Sequence, residues 1–243
     1  PQGKLTLDQY LDWEDAQSPQ LSPDGSQVIY TRRWVDKMND KWETTLWVMN
    51  ADGSHARQLG NGSDVKWSPD GRRIAYIYKG EPSGPQIWVR WMDAEGATSQ
   101  VTHLTEAPSS LEWSPDGKQV AFYSARASGS GIYVKDASGA GQESLVYASP
   151  TALTLLSWSQ DGKYLAYFVF GVGRRGDVWM LPMQVPLAER KPIALDDSAI
   201  ERGQARFSPG GHYVAFVSST NNDLEVVVRD RKSTRLNSSH DQI

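Results

Sequence analysis

Cysteine is absent from all 243 residues. Its absence excludes a disulfide framework and a thiolate metal site together and leaves the redox compartment open. No apolar run approaches the roughly 20 residues that a membrane helix needs. Lys and Arg number 25 against 29 Asp and Glu, and the basic residues are scattered. No basic face for nucleic acid or anionic lipid results, so neither nucleic acid nor membrane is expected as a partner. No Gly-x-Ser-x-Gly elbow exposes a nucleophilic serine on a strand-to-helix turn. No Asp-x-Asp-x-Asp-Gly spacing provides a calcium loop, so no catalytic residue, cofactor site or metal site is assigned.

What the chain has in quantity is one phrase, repeated. LSPDG spans Leu21 to Gly25, WSPDG spans Trp67 to Gly71 and again Trp113 to Gly117, WSQDG spans Trp158 to Gly162, and FSPGG spans Phe207 to Gly211. Their serines, at 22, 68, 114, 159 and 208, stand 46, 46, 45 and 49 residues apart, which is the period of a tandem supersecondary unit. Six residues after each serine come Val28, Ile74, Val120, Leu165 and Val214, and eight after it Tyr30, Tyr76, Phe122, Tyr167 and Phe216. Apolar residues two apart line one face of a strand. The residues between them are Ile29, Ala75, Ala121, Ala166 and Ala215, small enough in four cases to admit a second sheet closely. A β-branched and aromatic run follows about twenty residues after each serine, as in Leu46-Trp47-Val48, Ile132-Tyr133-Val134 and Val178-Trp179-Met180. Further strands are expected at Ala56 to Leu59 and Gln100 to Leu104.

The phrase itself specifies a turn. Pro presets φ for the second position, Asp bonds nearby backbone, and the final Gly takes the left-handed conformation that closes a hairpin. The structural turn residues are Ser22, Pro23, Asp24, Gly25, Ser68, Pro69, Asp70, Gly71, Ser114, Pro115, Asp116, Gly117, Asp161, Gly162 and Gly211. Gln160 in place of Pro and Gly210 in place of Asp are expected to loosen two copies without abolishing them. Four antiparallel strands per unit, with both faces apolar, make a β-propeller blade. The expected fold is all-β, an incomplete β-propeller of five tandem four-stranded blades at about 17–63, 64–108, 109–153, 154–201 and 202–229. Residues 1–16 form a lead-in with a short helix, in which Thr6 and Gln9 have capping-box spacing and Leu7, Tyr10 and Leu11 form a docking stripe.

Other candidates have plainer explanations. Gly129-Ser130-Gly131 reads as a flexible loop. His55, His103 and His212 fall in or near blade loops, where solvated side chains account for them without a nucleophile to serve. Asp12, Glu14 and Asp15, and the pair Asp196-Asp197, are able to hold a cation or a substrate amine, or equally to form a polar helix end and a solvated loop. Trp67, Trp113, Trp158 and Phe207 occupy equivalent places suited to packing between blades, with a ligand-stacking series as the other reading. Arg32 to Lys41 lengthens the first unit and is the best candidate for a functional loop, through Arg32, Arg33, Trp34 and Trp42.

Two family resemblances divide the chain. LTLDQYL from Leu5, YTRRWVDKMNDKW from Tyr30 and VRWMDAEGA from Val89 resemble the propeller of bacterial prolyl oligopeptidase family serine peptidases, over about residues 5–125. IYVKDASGAGQE from Ile132, DVWMLPM from Asp177 and EVVVR from Glu225 look more like TolB-type propellers attached to bacterial kinases and regulators. The string DRKSTRLNSSH, Asp230 to His240, resembles the translation of a sequencing-library adapter, so residues 230–243 are set aside as a non-native tail. The fifth unit is then expected to continue past Arg229 in the parent protein, and any signal peptide to lie upstream of Pro1.

The peptidase resemblance implies a C-terminal α/β-hydrolase domain as partner, peptide substrates gated by the propeller, and a periplasmic or secreted location. The TolB resemblance implies a non-enzymatic module that binds peptides or proteins.

Overall fold

The computed structural model describes residues 6–93, 95–127, 129–170, 176–195, 204–220 and 223–231. The chain folds as two compact units, residues 1–107 and 108–243. The first opens with helix α1, Leu7–Leu11. Thr6 Oγ1 accepts from the Gln9 amide at 3.2 Å and Gln9 Oε1 accepts from the Thr6 amide at 3.0 Å, the reciprocal bonds of a capping box. Leu7, one residue of the expected docking stripe, is 73% exposed, while Leu11 is half-buried. Two four-stranded antiparallel meanders follow: β1 Asp15–Leu21, β2 Gln27–Asp36, β3 Lys41–Asn50 and β4 Arg57–Asn61, then β5 Ser63–Trp67, β6 Arg73–Gly80, β7 Gly84–Trp91 and β8 Thr98–Gln100. Ile29, Leu46, Val48, Val65, Trp67, Ile74 and Tyr76 form the core these two sheets share.

The second unit repeats the plan. Its first sheet holds β9 Pro108–Trp113, β10 Gln119–Ser124, β11 Gly131–Asp136 and β12 Ser144–Ala148, and its second β13 Leu153–Trp158, β14 Tyr164–Phe170, β15 Gly176–Pro182 and β16 Ile193–Ala194. A last sheet comprises β17 Ala205–Phe207, β18 Tyr213–Thr220 and β19 Asp223–Asp230. That sheet is three-stranded among the described residues, where four strands were expected. Residues 232–243, which contain most of the adapter-like tail and His240, lie outside the described residues, as does the Asp196-Asp197 pair. Within this unit β13 lies against β9, and β17 against β13, so the first strands of successive blades are neighbours.

Period-two patterning explains the stacking. Along β14, Leu165 and Tyr167 join Ala121, Ile132, Val134, Leu153, Leu155 and Leu181 in one core. Ala166 and Phe168, pointing the other way, join Leu156, Val178, Met180, Ala205, Val214 and Phe216 in a second. A sheet buried on both faces needs apolar residues at every position, and small Ala166 lets the next sheet come near.

The turns show a hydroxyl hub. Ser22, Ser68, Ser114 and Ser159 donate to Oδ1 of Asp24, Asp70, Asp116 and Asp161 at 2.6, 2.5, 2.6 and 2.7 Å. Each serine Oγ also accepts from the amide five residues on, at 2.9–3.0 Å, fixing both ends of the hairpin. The closing glycines, Gly25, Gly71, Gly117, Gly162 and Gly211, have φ of 75°, 68°, 66°, 69° and 66°. Ser208 keeps its bond from the Tyr213 amide at 3.1 Å although Gly210 offers no carboxylate. The Gln160 copy keeps its Gly162 to Ser159 backbone bond at 2.8 Å.

Candidate functional site

Two regions combine space with exposed functional groups, one in each unit. In the first, Arg32 to Lys41 is a hairpin rather than a loop: β2 and β3 pair continuously out to Asp36 opposite Lys41. Alternating β-branched, aromatic and arginine residues sustain strand pairing there, and Asp36 caps the turn by accepting from the Met38 and Asn39 amides at 3.1 and 3.3 Å. The Arg33 guanidinium lies 4.0 Å over the Trp42 ring and that of Arg32 4.5 Å over Trp47. Arg32 also pairs with Glu14, and Lys37 pairs with Asp12 at 2.6 Å, so these acids serve as partners for the hairpin's cations. A cleft of about 360 Å³ opens beside it, bounded by Trp42, Asn61, Tyr78 and Pro85 among others. Met38, 95% exposed, and Trp42, 53% exposed, present apolar surface on the hairpin.

In the second unit a groove of about 600 Å³ runs between the turn of Ser114 to Gly117 and that of Ser159 to Gly162. Its walls carry Asp116, Gln119, Trp158, Gln160, Asp161, Met183 and Arg190. The Ser114 hydroxyl, then the Lys118 amide, holds the Asp116 carboxyl below its ordinary value against a small opposing effect of burial. Burial opposes ionisation of Asp161, but the Ser159 hydroxyl, Arg231 and the Lys163 amide outweigh it and bring its pKa to about 2. Arg190 donates to the carbonyls of Val185, Val146 and Met183 at 3.1, 3.2 and 3.0 Å, and its desolvation lowers its pKa. Met183 and Arg190 both lie between strands and outside the repeated phrase, and the sequence assigned neither of them a site role.

The remaining candidates are accounted for by structure. Ser54, His55 and Asp52 are close in sequence, with Ser54 Oγ 3.0 Å from His55 Nδ1. Asp52 accepts from the Ser54 amide at 2.9 Å, and the imidazole's second contact is Asn50. A working triad requires the carboxylate to orient the imidazole, so this turn lacks the necessary order of contacts. His103 and His212 are exposed. Gly129 accepts the Tyr133 hydroxyl at 2.6 Å and Gly131 begins β11, so part of the expected flexible loop is strand. Trp67 and Trp113 are buried and Trp158 is half-buried against the core, the packing role expected of that series. Among the described residues no three His, Cys, Asp or Glu side chains are placed to hold a metal ion, and no helix is long and apolar enough to cross a membrane.

A family model described as the PD40 TolB beta propeller domain matches residues 33–241. The chain belongs to the TolB-type PD40 β-propeller family. One model spans both sides of the change in resemblance near Ala125, so a single fold family covers the peptidase-like and TolB-like stretches. Among curated relatives, the PD40 chain is 27% identical over 108 residues to the uncharacterized peptidase YuxL of Bacillus subtilis strain 168, covering 43% of this chain and 16% of the relative. It is 38% identical over 61 residues to dipeptidyl-peptidase 5 of Porphyromonas endodontalis, covering 24% of this chain and 9% of the relative. A putative TolB from Agrobacterium tumefaciens superposes with a TM-score of 0.65 at 22% identity, covering 90% of this chain and 78% of that one. The PD40 chain therefore spans a small fraction of the curated peptidases it matches and most of the putative TolB chain.

Proposed function

We propose that this propeller is the non-catalytic part of a prolyl oligopeptidase family serine peptidase. In that role it admits unfolded peptides to a hydrolase domain elsewhere in the parent protein and excludes folded ones. The observation that carries this reading is that both curated relatives are peptidases by name, while the chain spans only 16% and 9% of their lengths. Much of such a parent then lies outside the matched stretch, and an α/β-hydrolase domain with its Ser, Asp and His is assigned there. The long β2–β3 hairpin, with exposed Met38 and Trp42, supplies a surface suited to contact with such a domain.

A second reading is favoured by the superposition on a TolB-type propeller: a module that binds peptides or proteins and catalyses nothing. Extending the parent reading frame in both directions separates the two. The peptidase reading expects a Gly-x-Ser-x-Gly elbow downstream, followed by Asp and then His. A kinase or winged-helix region upstream, with a stop codon soon after the last blade, would eliminate it.

A further inference from the structure

The blade repeat permits an internal comparison. After the third strand of every blade, one residue's amide bonds the carbonyl that follows the turn glycine. These are Ala51, Met92, Ala137, Met183 and Arg231, on Ser26, Arg72, Lys118, Lys163 and His212, at 2.8–2.9 Å. The five positions are therefore equivalent. In the last blade the occupant is Arg231, a residue of the segment that the sequence reading sets aside. Its Nη1 lies 2.8 Å from Asp161 Oδ2 in the turn of the preceding blade, its guanidinium sits 5.0 Å from the centre of the Tyr164 ring, and its side chain is 9% exposed. A cation thus fills the space between those two turns and neutralises the carboxylate there.

One blade earlier the same three positions are Met183, Asp116 and Gln119, and all three line the 600 Å³ groove. Asp116 has the same hold on its serine, Ser114 Oγ to Oδ1 at 2.6 Å, but Oδ2 has no hydrogen-bond or ion-pair partner among the described residues. Met183 is apolar and brings no charge to it. We propose that this groove is a socket for an arginine side chain of an extended polypeptide, its guanidinium on Asp116 Oδ2 and its stem along Met183 and the Trp158 ring. A planar fork matched to a carboxylate suits arginine better than lysine. Arg190 does not compete for Asp116, since its donors are directed to the backbone carbonyls of Val185, Val146 and Met183. This inference stands whichever reading of the parent protein holds.

Calorimetric titration of the full chain with acetyl-Gly-Arg-Gly-amide, and with the same peptide carrying citrulline, tests it. The arginine peptide is expected to bind at least about tenfold more tightly than its neutral counterpart, and Asp116→Asn, which keeps an acceptor for Ser114, to abolish that preference. Met183→Arg leaves the turn untouched and is expected to close the socket from within, blocking the peptide while raising the melting temperature. Equal affinity for the two peptides, or unchanged preference in Asp116→Asn, would overturn the proposal. So would a Met183→Arg chain that binds as before, or no binding of the arginine peptide at about 10 mM, the weak limit of a specific site.

Discussion

Tyr167→Ala is expected to destabilise the chain by about 3–5 kcal/mol, the cost of deleting a large aromatic from a packed core. Tyr167 is among the largest fully buried side chains, 1% exposed, in the middle of a core built from both β9–β12 and β13–β16. Its ring meets that of Tyr147, centroids 5.4 Å apart. Sheets stacked face to face cannot collapse into the space it leaves, because each is held by its own ladder of backbone bonds. For a chain of this size the loss corresponds to a fall of roughly 6–20 °C in melting temperature. Tyr167→Phe keeps the ring and removes only its hydroxyl, so a change of about 1 kcal/mol is expected. Thermal melts of the two variants check the pair; equal effects would show that the hydroxyl rather than the buried ring matters.

Gly131→Val is expected to be nearly as damaging, for a different reason. Gly131 pairs with Ala148 where β11 meets β12. A Cβ on it would lie 2.1 Å from the Tyr147 carbonyl oxygen and 3.1 Å from the Ala148 Cα, so backbone must move to admit it. Overpacking of this kind costs roughly 1–3 kcal/mol, and the upper end is expected because the obstruction is backbone, with two further methyls to place. Gly210→Ala is the control. Its Cβ would meet only the Cδ2 of exposed His212, at 3.3 Å, and a change near zero is expected. Denaturant midpoints for both variants decide it, and a Gly131→Val chain as stable as the control would show that β12 can be displaced freely.

Much of this architecture was legible in the residues. Ser, Pro, Asp and Gly at fixed order specify a turn by local chemistry alone, and alternation around Ala75, Ala121 and Ala166 specifies a strand buried on both faces. What was less legible depended on distance. Arg32 to Lys41 looked like a loop because its charges interrupt the apolar pattern, yet those charges stack on Trp42 and Trp47 across the hairpin and so support pairing. Gly131 looked loose, yet its lack of a side chain is what lets β12 approach. The groove beside Asp116 was invisible, since it is formed by turns 45 residues apart and by Met183, which no local pattern marks. Equivalence between blades became readable only once the backbone bonds after each third strand were known.

The proposed function assigns any hydrolysis to another part of the parent protein and expects none from this chain. Incubating the purified chain with aminoacyl and peptidyl chromogenic substrates tests this most directly. The expected rate equals that of buffer alone at every protein concentration; release of chromophore that rises in proportion to added chain would contradict it.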